Sequence, residues 1–205
     1  GLLQSDDTDV MMSALEKLGL ATFVWENDEL LVRGTGGKFW TSNATARERG
    51  CSNLYMGNAG TATRFIQSIM MLSGRSGTPS NPYSDGVTIT GSSRALDRPQ
   101  GPLVEALRNH GCDLQCVGRE GHLPILAREH GDGRGLAGGV LRIEGKVSSQ
   151  FVSSILLAAP YADEPLAIVL AESGRPTSST YIDMTVSCMA LFGVVVQRSI
   201  TKEGN

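Results

Sequence analysis

Leu54-Tyr55-Met56-Gly57-Asn58-Ala59-Gly60-Thr61-Ala62-Thr63-Arg64-Phe65 begins as a short apolar strand, passes through a turn of small residues and enters a helix. Gly57 and Gly60 let the backbone bend tightly and approach a ligand closely. Asn58 and Thr61 are expected to bond amides freed at the helix start, and Arg64 adds a cation one turn in. A helix N-terminus of this composition attracts anions. Beyond it, Ala62, Phe65, Ile66, Ile69, Met70, Met71 and Leu72 spread around most of the helix circumference instead of along one stripe. That pattern predicts a buried helix.

Downstream, Ser73–Asp85 is a Gly-, Ser- and Pro-rich loop, and Val87–Thr90 is a strand closed by Gly91. Ser92–Pro99 then places Arg94, Asp97 and Arg98 at the C-terminal end of that strand, the edge where open α/β sheets hold ligands. Arginines there are suited to gripping an anion with two N–H groups. Leu103, Val104, Leu107 and the closing Gly111 give an amphipathic helix, followed by strands over Cys112–Val117 and Leu123–Ala127. Upstream, Ser5 with Asp6 and Asp7 starts a helix that Gly19 ends. Ala21–Trp25 and Glu29–Val32 form a hairpin about Asn27 and Asp28. The polar stretch 34–53 reads as a long loop or insertion without assigned chemistry.

The C-terminal half repeats the opening theme in different residues. Gly138 and Gly139 precede the strand Val140–Ile143, and Lys146-Val147-Ser148-Ser149-Gln150 opens a second strongly apolar helix, Phe151–Ala159. Leu166–Leu170 is a strand, Ser173–Thr180 a polar loop, and Tyr181–Phe192 a helix ended by Gly193 before a strand at Val194–Gln197. Strand, buried helix, strand, amphipathic helix, glycine, strand therefore occurs twice. The expected fold is α/β, built from βαβαββ units with buried central helices. The units span about 1–33, 54–128 and 140–205, the outer two incomplete and both ends of the chain reading as cut.

With 205 residues, 40% of them hydrophobic, the chain has material for a real core. A net charge of −3 argues against nucleic acid or an anionic membrane as partner. No apolar run reaches the roughly 20 residues of a membrane span, and the N-terminus lacks the order of a signal peptide, so a cytoplasmic setting is expected. Cys51, Cys112, Cys116 and Cys188 are scattered, with no zinc or disulfide framework.

The residues collected above resemble the 5-enolpyruvylshikimate-3-phosphate (EPSP) synthase family, which joins phosphoenolpyruvate to shikimate 3-phosphate in the route to chorismate and the aromatic amino acids. The carrying motifs are GNAGTATRF at Gly57–Phe65, DRP at Asp97–Pro99, KVSSQF at Lys146–Phe151 and YIDMT at Tyr181–Thr185. SSQFVSSILLAAPYA is most similar to the fungal form, where the synthase is one part of the multifunctional arom polypeptide. The family has two domains of three βαβαββ units each. The resemblance implies that residues 1–205 are most of the first, an inside-out α/β barrel, with the catalytic second domain absent. It also implies that Ser148, Ser149, Gln150, Ser178 and Tyr181 bind shikimate 3-phosphate. Gly60, Arg98 and Gln150 would bind phosphoenolpyruvate where the inhibitor glyphosate competes, while Asn58 and Thr61 support the turn. No metal or organic cofactor is implied. The family's acid–base residues fall on a Lys-Ser motif and on the second domain, so no catalytic residue is assigned here.

Phe65 stands where bacterial members often have proline, and Ser179-Thr180 where Lys-Pro or Gln-Pro is usual. Residue chemistry alone leaves simpler roles open: Ser148 and Ser149 as a helix cap, Arg94 and Arg98 as solvated loop arginines, Arg64 paired with a carboxylate, and Tyr181 as packing. His110, His122 and His130 read as surface residues. Two other functions stand beside the first. One is a UDP-N-acetylglucosamine enolpyruvyl transferase, which lacks the GNAGTA and VSSQF pair. The other is a non-catalytic binding or scaffold module.

Overall fold

The structure, a computed structural model, describes residues 2–35, 53–72, 86–128, 136–144, 148–171 and 178–199. Most of the stretch 34–53, the loop Ser73–Asp85, Lys146, Val147, His130 and residues 172–177 lie outside the described residues. Helix α1 (Asp6–Lys17) starts at Ser5, whose hydroxyl accepts from the Thr8 amide while the Thr8 hydroxyl accepts from the Ser5 amide. This reciprocal capping box satisfies two amides at once. Gly19, at φ 69°, turns the chain out of the helix. Strands β1 (Ala21–Glu26) and β2 (Glu29–Gly34) then pair antiparallel. Asn27 and Asp28, at φ 49° and 63°, supply the two-residue turn whose twist matches a hairpin.

The central segment runs β3 (Asn53–Tyr55), α2 (Gly60–Met70), β4 (Val87–Thr90), a short α3 (Ser93–Leu96), α4 (Gly101–Asn109), β5 (Leu114–Cys116) and β6 (Ile125–Ala127). Its sheet has the order β3-β4-β6-β5, with β3 and β4 parallel and the other two pairs antiparallel. Parallel neighbours need a crossover, and α2 lies on it. The last segment comprises β7 (Gly139–Glu144), α5 (Ser149–Ala158), a 3-10 turn (Ala159–Tyr161), β8 (Leu166–Ala171) and α6 (Ser179–Leu191). β7 and β8 are again parallel and form a separate two-stranded sheet.

The core is centred on the two crossover helices. In α5, Phe151, Val152, Ile155, Leu156 and Ala158 are buried together with Ser149, Ser153 and Ser154. The helix packs against both α2 and α6, so hardly any of its circumference reaches water. α2 buries Ala62, Ile66 and Met70, but also Thr63, Gln67 and Ser68. Leu103, Val104 and Leu107 from α4 and Val87, Ile89 and Ile125 from the sheet complete the same core.

One expected strand is absent. At Val194–Gln197, Val194 and Val196 are half-buried while Val195 and Gln197 are exposed, so the alternation is kept. No ladder forms, because among the described residues no backbone runs beside it to exchange hydrogen bonds.

Candidate functional site

The first turns of α2 and α5 lie side by side. Gln150, in the first turn of α5, donates from Nε2 to the Thr61 hydroxyl at 3.0 Å, and its Oε1 accepts from Arg64 Nη1. One turn further, the Ser154 hydroxyl donates to the Arg64 carbonyl oxygen at 2.7 Å and lies 2.6 Å from the Ser68 hydroxyl. Successive turns meet in ascending order on both helices, so α2 and α5 run parallel, with both N-termini at one end. Small hydroxyl residues at the contact permit that close approach.

Arg64 sits between the helices with its guanidinium over the Phe151 ring. It does not take the carboxylate partner that residue chemistry alone left open: its bonded partner is the Gln150 side-chain amide. Its Nε is buried without a hydrogen-bond partner among the described residues. Burial chiefly, and then repulsion from Arg98, lower the Arg64 pKa from its ordinary value, while nearby Tyr181 opposes the shift.

Arg98 reaches the same end from α3. The Ser92 hydroxyl accepts from the Ala95 amide at 3.3 Å, and the Ser92 amide donates to the Gly57 carbonyl oxygen at 2.8 Å, tying this loop to the turn before α2. Arg98 Nη1 then donates to the Asn58 carbonyl oxygen at 3.1 Å. A Cβ on Gly60 would stand 2.5 Å from that nitrogen, so the guanidinium crosses the backbone where only glycine leaves room. Neither Asn58 nor Thr61 caps α2, contrary to expectation; Ala59 holds the N-cap position and no side chain bonds an amide there. Asn58 contributes its carbonyl oxygen instead, and the Thr61 hydroxyl is taken up by Gln150.

Ser148 caps α5, its hydroxyl accepting from the Gln150 amide at 3.3 Å. Ser149 is 6% exposed. Ser178 precedes α6 with left-handed backbone angles (φ 57°, ψ 59°), is exposed and makes no side-chain cap. Tyr181, half-buried in the first turn of α6, is electrostatically linked to Arg64. The structure thus joins Thr61, Arg64 and Gln150 directly, and Asn58, Gly60 and Arg98 directly. Arg94 is exposed. The residue undervalued from the sequence is Arg64. Its spacing from Thr61, one turn along the same helix face, was the available signal.

Two guanidinium groups, two helix N-termini and several hydroxyls converge on one end, an arrangement suited to a multiply charged anion. Among the described residues, no group of three or more His, Cys, Asp or Glu side chains is placed to hold a metal ion. His110 and His122 are half-buried and bond the carbonyl oxygens of Ala137 and Glu120. Cys112, Cys116 and Cys188 are free. Among the described residues no helix is long and apolar enough to cross a membrane.

A family model described as EPSP synthase (3-phosphoshikimate 1-carboxyvinyltransferase) matches residues 1–204. The chain is 46% identical over 202 residues to the pentafunctional AROM polypeptide of Schizosaccharomyces japonicus, covering 98% of this chain and 12% of that one. Identity is also 46% to the polypeptides of that name from Schizosaccharomyces pombe and Yarrowia lipolytica, each over 204 residues. The chain therefore spans 12% of the length of these fungal relatives. Among solved structures, an EPSP synthase from Acinetobacter baumannii superposes with a TM-score of 0.71 at 23% identity, covering 97% of this chain and 38% of the other. That likeness places the fold in the inside-out α/β class that the family resemblance implied.

Proposed function

The chain belongs to the EPSP synthase family, and from that membership we propose that it supplies the substrate-binding first half of a 3-phosphoshikimate 1-carboxyvinyltransferase. That membership also selects between the two enolpyruvyl transferase families weighed from the sequence. In this reading residues 1–205 are a partial first domain, with units at 1–33, 54–128 and 140–205, working with a second synthase domain and the other domains of an arom-type polypeptide in the cytoplasm.

Shikimate 3-phosphate is held by Ser148, Ser149, Gln150, Ser178 and Tyr181, and phosphoenolpyruvate by Gly60, Arg98 and Gln150, with Asn58 and Thr61 shaping the turn. Glyphosate competes at the second set. The observation that carries the reading is the Gln150 side chain, which spans from α5 to Thr61 and Arg64 on α2 and so makes one site of two sequence motifs. Both substrates are anions, and the site gathers cations and helix N-termini at one end. The enolpyruvyl transfer needs an acid and a base on the opposite side of the ligands, so the chain alone binds without turning over.

A titration of shikimate 3-phosphate followed by amide chemical shifts tests this. Saturable shifts at Ser148–Gln150 and Ser178, lost in Ser149→Ala and Gln150→Ala, are expected. A folded sample showing no shifts at millimolar ligand would reject it and favour a non-catalytic scaffold.

A further inference from the structure

A buried pair of side-chain amides links α2 to the start of α4. Gln67 is fully buried in α2 and Gln100, at the start of α4, is 1% exposed. Gln67 Nε2 donates to the Thr63 carbonyl oxygen and to Gln100 Oε1, both at 3.1 Å. Turning the Gln67 amide over would set its oxygen against two acceptors, so its orientation is fixed by the network. In that orientation Gln67 Oε1 is buried with no hydrogen-bond partner among the described residues. Two apolar side chains of similar size would occupy this space without stranding an oxygen. Stability therefore does not account for the pair.

What apolar side chains cannot do is fix a direction. Gln100 is a node: its amide donates to the Gly121 carbonyl oxygen at 2.8 Å, and its own carbonyl oxygen accepts from the Leu103 and Val104 amides at 3.1 Å. Arg98 is two residues upstream, separated only by Pro99, whose ring fixes φ. The strap from Ser92 to Gln100 is thus fastened at one end to the turn before α2 and at the other to α2 itself. Ser92 holds the Gly57 carbonyl oxygen at the turn, and Gln100 holds Gln67 two helical turns below Gly60. Arg98 bridges the interval and lands across Gly60.

We propose that Gln67 and Gln100 are positioning residues that set the Arg98 guanidinium over Gly60. The inference deepens the reading of Arg98 as an anion-binding arginine and rests on it only for the ligand arm of its test. The Gln67→Leu/Gln100→Leu double variant removes the bonded pair and the stranded oxygen together. In the ligand-free chain, the Arg98 Nε–H order parameter falls toward that of a free side chain, while the urea midpoint is unchanged or higher. Phosphoenolpyruvate affinity drops about tenfold, because a loosened Arg98 weakens its charge-assisted bonds to the anion.

A folded double variant with Arg98 as ordered as in wild type overturns the inference, whatever the ligand does. Loosening of Arg98 in a chain whose wild type fails to bind phosphoenolpyruvate upholds the positioning role and removes the anion-binding reading. If the double variant does not fold, Gln67→Met, which keeps length and loses both amide atoms, gives the same readout.

Discussion

The Arg64 guanidinium carbon lies 4.9 Å from the centroid of the Phe151 ring, so a cation of α2 rests on the face of a ring carried by α5. Such a contact contributes about 1–2 kcal/mol where water is excluded. Phe151 is fully buried beneath it. Phe151→Ala removes the support and leaves a cavity, with an expected loss of about 3–5 kcal/mol in urea unfolding. A loss below about 1 kcal/mol would mean that the helices close over the gap.

Gly60→Ala separates stability from binding. Gly60 is the first residue of α2, where the helix preference of alanine over glycine counts for less than in a helix interior, and the Cβ strikes only the end of a flexible side chain, Arg98 Nη1. The melting temperature should hold or rise slightly. Arg98 should leave the Asn58 carbonyl, and titration calorimetry should show phosphoenolpyruvate binding weakened about tenfold or more, since a displaced arginine forfeits a charge-assisted bond. Equal affinity in the two proteins would mean that Arg98 contacts no ligand.

The hydroxyl contact between Ser68 and Ser154 is fully buried. Ser154→Ala leaves the Ser68 hydroxyl without its partner, at a cost of about 1–3 kcal/mol, whereas Ser68→Ala leaves Ser154 still donating to the Arg64 carbonyl oxygen and should cost less. Ser68→Ala/Ser154→Ala together should lose less than the sum of the singles. A double-mutant cycle on urea midpoints reads the coupling directly, and a coupling of zero would show the two hydroxyls to be independent.

Burial pushes the Cys112 thiol up to about 12 from 9.0. Between those values the folded chain holds a proton that the unfolded chain has released. Stability is therefore intact below pH 9 and falls as pH rises toward 12, by about 1.4 kcal/mol per pH unit from this group. Cys112→Ala should lack that component of the slope. At pH 8, iodoacetamide followed by peptide mapping should label the exposed Cys188 and spare Cys112 until the chain is unfolded.

Local signals carried much of the architecture. The Ser5 cap, the Asn27-Asp28 hairpin and the end of α4 follow from short-range chemistry in the sequence, and the strand–helix–strand order around α2 and α5 from its repeated pattern. Val194–Gln197 shows where that reach stops, because alternation specifies which side chains face inward, whereas a strand also requires a neighbour. In the site, the motifs mark single positions, but contacts such as Arg64 with Gln150 join positions 86 apart in the chain. No periodicity announces them. For Arg64 the sequence leaves both an anion and a carboxylate open, because neither the Gln150 amide nor the Phe151 ring is near it in the chain. Gln67 carries no local signal, because a glutamine among apolar residues resembles a gap in the pattern.

Parallel packing of α2 and α5 sets like ends of two helix dipoles together, and Arg64 and Arg98 add their charges there. Exposed ion pairs weaken with added salt; this end of the molecule should behave in the opposite sense. At low ionic strength the Debye length is about 30 Å and the repulsion is felt in full, whereas at 0.1 M it shrinks to about 10 Å. Sulfate, doubly charged and drawn to this positive end, should raise the melting temperature more than sodium chloride of equal ionic strength, and substitution of Arg98 should erase most of the difference.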